Sequence, residues 1–287
     1  MRSFVVAIGQ RIGHVSDPFF VVAQNSEGLL IAQDPSETAS ITAYADVLSG
    51  LGREDLFYGY EADNRVTPSA VTEYWLGILD QAEAQGIEVF AIDYCMDANA
   101  VATSCKQSAA HGFVAFAAPS RDLDVIPTAG PFPVGENDSS IKTLAGVRNF
   151  LYLVNPQQYP ERTSFLDALA AVNVDLLVVD AEAEDGRLTP DEIDRLRRKP
   201  NGARRLVLCY LSIGEAEAYR DYWDPEWESN PPDWLLSENP NWPGNYLVRY
   251  WDTEWQAIVF DQLDRIMEAG FDGVYLDLVD AYESFEP

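Results

Sequence analysis

Eight short apolar runs, at about 19–23, 55–60, 87–92, 113–117, 149–154, 174–179, 205–211 and 273–276, recur along this chain with helix-like segments between them. Runs of that length bounded by turn residues read as buried strands, and their alternation with helices predicts parallel pairing. A parallel sheet needs cover on both faces, and eight strands are enough for it to close on itself. The expected fold is therefore α/β, a (β/α)8 TIM barrel. At 287 residues the chain has the usual size of one such barrel, which predicts a single domain over 1–287.

The helical segments carry their own start and stop signals. Over 68–85, Val71, Tyr74, Trp75, Ile78, Leu79 and Ala82 repeat at helical spacing behind Thr67 and Pro68, and Gly86 ends the run. Thr189-Pro190-Asp191-Glu192 and Thr253-Glu254-Trp255-Gln256 have the form of capping boxes, the second helix closing at Gly270. The chain ends fit a barrel less simply. Residues 1–15 read as an amphipathic helix (Phe4, Val5, Ile8, Ile12, Val15) with no strand ahead of it, and the last strand has no helix behind it. Pairing the first helix with the last strand across the chain ends repairs both defects. The stretch 119–147, rich in Pro, Gly, Asp and Ser, then reads as a linker over an ancestral pair of termini.

Five of the runs end on or near a carboxylate: Glu61, Asp93, Asp180, Glu215 and Asp277. In a barrel such positions line the active-site mouth. Each acid also has a plainer reading. Ser212-Ile213-Gly214-Glu215 has the form of a capping box opening a helix, Asp93 and Asp180 suit loop caps or Arg partners, and Asp272 and Asp280 read as surface or loop acids.

The charge balance, 19 basic against 47 acidic residues and net −28, argues against nucleic-acid binding, because phosphate contacts need Lys and Arg. It suits a cationic partner or a salty habitat, where three Lys against sixteen Arg also fits. No apolar run reaches the roughly 20 residues of a membrane span, and the stretch 4–8 is too short for a signal-peptide core. His14 and His111 stand outside any motif at exposed helix positions, so neither a His-dependent triad nor a zinc site is expected. No glycine-rich phosphate loop follows a strand, and no cofactor or metal is expected. Cys209 lies in a strand, while Cys95 and Cys105 have the spacing to pair if the protein is exported.

Six of the seven Trp fall between 223 and 255. Their rings suit packing of a long excursion onto the barrel, Trp227 and Trp255 above all. Trp251, near Arg249, is the candidate for stacking on a sugar.

The segments LVLCYLSIGEAE (206–217) and 271–282, which opens FDGVYLDLVD, resemble glycoside hydrolase family 114, the endo-α-1,4-polygalactosaminidase-like barrels. NPNWPGNYLVRYWD (239–252), FVVAQN (20–25) and DLFYGYE (55–61) are similar to the family too. The order differs, since segments like 149–280 resemble the family's first half and 1–118 its second, which implies a circular permutant. Ala181 stands where the family pattern leads one to expect an aromatic. The resemblance implies endo-hydrolysis of an α-linked, galactosamine-rich polysaccharide by an exported monomer. Glycoside cleavage needs one carboxyl to protonate the leaving oxygen and a second facing the anomeric carbon. Asp277 is expected as nucleophile and Glu61 as general acid/base, with Glu215, Asp180, Asp93, Tyr58, Tyr60, Tyr210, Asn25, Arg249 and Trp251 as substrate contacts. A non-catalytic carbohydrate-binding barrel and a glycosidase of another sugar preference are the competing readings.

Overall fold

The computed structural model describes residues 1–13, 18–128, 132–183 and 186–286. Its centre is a ring of eight parallel strands: β1 (Phe20–Gln24), β2 (Gly50–Glu54), β3 (Glu88–Tyr94), β4 (Val114–Ala118), β5 (Phe150–Tyr152), β6 (Leu176–Val179), β7 (Leu206–Ser212) and β8 (Gly273–Asp277). Hydrogen bonds run β4-β3-β2-β1-β8-β7-β6-β5, and β4 stands against β5 to close the ring. This is the (β/α)8 barrel that the alternation predicts. The strands are buried almost throughout, because helices cover one face and the barrel's own side chains fill the other. Phe90, Phe116 and Phe150 meet in that interior, with Phe150 5.3 and 5.4 Å from the other two ring centres.

The helices α1 (Arg2–Ile12), α2 (Thr38–Val47), α3 (Ser69–Ala84), α4 (Ala98–His111), α5 (Arg162–Ala171), α6 (Pro190–Leu196) and α7 (Thr253–Ala269) form the outer layer. Thr189 makes its capping box, and α7 starts one residue earlier than expected because Asp252, not Thr253, caps it. Helix α1 settles the problem of the chain ends. It lies between α7 and α2, with Phe4 edge-on to Phe260 and Arg11 paired with Asp264. That is the layer position of a helix crossing from β8 to β1, and these two strands pair in parallel from Phe20↔Gly273 to Ala23↔Leu276. His14 and Val15, at the end of the expected helix, lie outside the described residues.

One strand is displaced from its expected place. The apolar run 55–60 is a loop, and β2 is the glycine-containing segment GLGRE just before it. Side chains alternate along a strand, so Gly52 and Glu54 share the inward face. Across the barrel the Tyr275 hydroxyl fills the place of a Gly52 side chain, where a Cβ would stand 1.8 Å from it. The missing side chain is thus the packing solution for a barrel-filling tyrosine, and it hides the strand from a hydropathy reading.

Among its described residues the connection 119–147 supplies no α-helix, only a turn of 3-10 helix at Leu144–Gly146. It runs from the mouth, where Leu123 carbonyl accepts from the N–H groups of Val154 and Asn155, to the opposite end, where Ile141 N–H donates to Arg204 carbonyl. There Asp175, fully buried, accepts from Asn137 Nδ2 at 2.9 Å, from Arg148 N–H at 2.9 Å and from the equally buried ammonium of Lys199. Cys95, Cys105 and Cys209 are free thiols, so the Cys95–Cys105 bridge is not formed.

Removing one partner of a buried ion pair strands the other in a medium that solvates it poorly. Asp175→Ala should therefore lower unfolding stability by about 3–5 kcal/mol, measured by urea denaturation, whereas surface Asp167→Ala should change it by less than about 1 kcal/mol.

Candidate active site

The carboxyl ends of the strands open into a cleft of about 740 Å³. Gln24 and Asn25 reach it from the end of β1, Glu54 from β2, Tyr94 from β3, Tyr152 from β5, Tyr210 from β7 and Asp277 from β8. Asp180, Glu215, Glu217 and Asp280 follow their strands into the same space. Residues 121–123 of the long connection make part of its wall.

Two acids share the centre. Asp277 ends β8, and its Oδ1 accepts from Gln24 Nε2 at 3.0 Å and from Leu278 N–H at 2.8 Å, with the Tyr210 hydroxyl also hydrogen-bonded to the carboxyl. Burial and then the charge of Glu54 push its carboxyl up to about 8. Glu54 is held from two sides. Asn25 Nδ2 donates to its Oε2 at 2.8 Å and Asn25 Oδ1 accepts from its backbone N–H at 3.1 Å, while the Tyr94 hydroxyl donates to Oε1. Asn25 reaches both by taking φ of 50°, the left-handed region that Asn tolerates better than most residues. Asp280 is a third member, pushed up to about 7 by burial and by Glu54. The charge of Glu54 bears on both, so near neutrality Asp277 keeps its proton.

On the facing side Arg220 donates to both oxygens of Asp180, at 2.6 and 2.7 Å, and to Glu217 at 2.7 Å. Glu217 and Glu215 belong to a small antiparallel sheet of Glu215–Glu217, Leu235–Glu238 and Asn245–Val248, built from the excursion that follows β7. Trp223, Trp227, Trp234 and Trp255 pack in series, edge-on or tilted, with ring centres 5.0–5.3 Å apart, and Trp255 Nε1 donates to Ile213 carbonyl. Trp227 and Trp255 thus pack the excursion as expected.

Of the residues singled out in the sequence, Asp277, Asp180, Glu215, Tyr210 and Asn25 meet in the cleft. Glu61 does not: with β2 ending at Glu54, position 61 falls in an exposed turn, where its half-exposed side chain pairs with Arg65. Tyr58 is buried under that loop and Tyr60 is exposed on it. Asp93, wholly buried, is the loop's anchor. It accepts from the N–H groups of Phe57 and Tyr58 at 2.8 and 3.1 Å and from the Ser104 hydroxyl at 2.6 Å, and burial pushes its carboxyl up to about 6. Arg249 and Trp251 are exposed away from the cleft, Trp251 packing edge-on against Tyr250 and Phe285. Ser212 caps no helix; its hydroxyl bonds the Glu215 backbone at a turn into the small sheet. Asp272 is buried at the opposite end of the barrel beside Arg197 and Arg204. The sequence reading missed Glu54, Gln24, Tyr94 and Trp242. Glu54 had one usable signal, since it ends the five residues immediately before the run taken for β2.

Among the described residues no cluster of His, Cys, Asp and Glu is arranged to hold a metal ion, and no helix is long and apolar enough to cross a membrane.

Residues 158–286, the part of the chain that includes α5 to β8 and Asp277, match the family model of glycoside-hydrolase family GH114. That stretch of the chain is similar to GH114. Curated relatives cover a similar share: a protein of Methanocaldococcus jannaschii is 45% identical over 128 residues, 44% of this chain and 36% of its own length. A Deinococcus radiodurans protein is 48% identical over 118 residues, 41% of this chain and 37% of its own, and one from Thermotoga maritima is 46% identical over 101, or 35% and 30%. The chain thus spans only about a third of the length of these relatives. Among solved structures, the Aspergillus fumigatus Ega3 complex with galactosamine is 22% identical, covering 52% of this chain and 51% of that one at a TM-score of 0.33.

The raised carboxyls give the cleft a pH signature. Asp277 binds its proton up to about pH 8 in the folded chain but only to about 4 when unfolded, so the folded state holds more protons between those values. Its contribution is fully present below the unfolded value and is lost as pH rises through the folded one. The Tm should accordingly fall from pH 5 to pH 8.5, and Asp277→Asn should flatten that slope, as read by thermal melts across the range.

Proposed function

We propose that the protein is a glycoside hydrolase that cleaves an α-linked, galactosamine-containing polysaccharide within the chain, using Asp277 and Glu54. The observation that carries this reading is the pairing of these two coupled carboxyls in one strand-end cleft, in a chain with a GH114 segment. The family likeness supports the chemistry. The substrate class follows from the resemblance to polygalactosaminidase-like barrels and from the acidic cleft, which attracts an ammonium-bearing polymer. At about 740 Å³ the cleft lies within the roughly 300–1,000 Å³ of ligand sites and has room for more than one sugar. Such an enzyme would work outside the cytoplasm, where the polymer is.

The roles follow from how each acid is held. Glu54 takes the part first given to Glu61: it carries the proton to the leaving oxygen, then accepts one from water. Once Glu54 is protonated, the repulsion that raises Asp277 disappears. Gln24, the Leu278 N–H and Tyr210 then stabilise Asp277 as a carboxylate facing the anomeric carbon. Asn25 and Tyr94 keep Glu54 in its rotamer, so that delivery needs no search for geometry.

Reducing-end release from partly deacetylated α-1,4-galactosaminan tests this. Asp277→Asn and Glu54→Gln should each lower kcat by at least about 10³-fold, while Glu61→Gln should stay within about threefold of wild type. Undiminished activity in Glu54→Gln would remove it from the mechanism. Binding of the polymer without any new reducing ends, in wild type, would instead favour a carbohydrate-binding barrel.

A further inference from the structure

We propose that the Glu215 carboxylate is the group that reads an ammonium on the bound sugar chain, in a subsite beside the Asp277–Glu54 pair, and so selects free amine over N-acetyl at that position. This rests on the hydrolase reading above and deepens it by naming the residue that sets the preference.

Glu215 is fixed before any ligand arrives. It opens the first strand of the small sheet, pairs with Leu247, and has its backbone bonded on both sides to the Ser212 hydroxyl. Its side chain lines the cleft yet the residue is only 7% exposed. Asn239 Nδ2 donates to Oε1 at 2.8 Å, and the Asn245 amide stands close by. Oε2 is buried and meets no hydrogen-bond donor among the described residues. Buried carboxylate oxygens nearly always have a donor, and one left bare at a ligand cleft marks where a ligand supplies it.

The missing donor has to bring charge as well. The nearby cation, Arg220, already serves Asp180 and Glu217, and Glu217 adds a further negative charge that bears on Glu215. A sugar hydroxyl would satisfy the lone pair but leave the buried charge uncompensated. An ammonium does both. An N-acetyl group is neutral and would bring its own carbonyl oxygen into a negative site. Trp242 and Pro243, on the same wall, offer the apolar face that the flat side of a sugar ring packs against, and the indole also attracts a cation. Burial pushes the Glu215 carboxyl up, which agrees with a site that is completed by a cation.

The test is selectivity, which a merely structural carboxylate would not move. Free-amine and fully N-acetylated α-1,4-galactosamine oligosaccharides of equal length are compared by kcat/KM. Wild type is expected to prefer the free amine by at least about tenfold, and Glu215→Gln to bring the two substrates within about threefold of each other. Glu215→Asp, which withdraws the charge by one methylene, should give an intermediate ratio and serves if the Gln variant fails to fold. A preference unchanged in both variants, or an equal fall on both substrates, overturns the proposal. If wild type cleaves neither substrate, the hydrolase reading fails on its own. The subsite is then judged by titration calorimetry with the same two oligosaccharides: a free-amine preference in binding that Glu215→Gln abolishes upholds it, and no such preference overturns it.

Discussion

Parallel pairing of β8 with β1 is the contact on which the rest depends, because it joins the last strand of the chain to the first and so holds the two halves of the ring together. Without it the sheet would be open, Asp277 would end an edge strand, and Gln24 would not reach it. Helix α1 secures the joint from outside by filling the layer between α7 and α2. A helix at the start of the chain therefore does the work that the βαβ crossover does elsewhere in the barrel.

Closure also creates the electrostatic problem that the site exploits. Eight strand ends converge on one mouth, and this chain puts carboxyls at several of them, in a molecule of net charge −28. On the Asp180 side Arg220 compensates them. At Asp277, Glu54 and Asp280 no cation among the described residues pairs with the acids, and hydrogen-bond donors take its place: Gln24, Tyr210, Asn25, Tyr94 and one backbone N–H. The result is a set of acids that cannot all ionise near neutrality, the condition under which one fold offers a proton and a carboxylate side by side. The raised carboxyls here come from crowding and desolvation, both of which follow from the barrel's closure.

Much of this was legible in the linear chain. Seven of the eight strands follow their apolar runs to within a few residues, because strands buried on both faces must be apolar almost throughout. Asp277 was legible for the same reason, as a charge at the end of such a run. Glu54 was not. Its strand carries two glycines, an Arg and a Glu, since the space its side chains would occupy is filled from across the barrel by Tyr275. The neighbouring run 55–60 is apolar because it folds as a buried loop over Asp93, and that drew the reading seven residues too far along the chain, from Glu54 to Glu61. Asp93 shows the converse, a strand-end acid directed into a loop's N–H groups instead of into the cleft.

By itself, then, the sequence determined the class of fold, the number and order of strands, and the acidic character of the mouth, because hydrophobic period and charge are properties of short segments. Tertiary structure decided which acids meet. Whether a strand-end carboxyl faces a substrate, an arginine or a backbone amide depends on register and on side chains that arrive from strands far away in the chain. Those partners, Gln24 for Asp277 and Asn25 for Glu54 among them, come together only when the ring is closed.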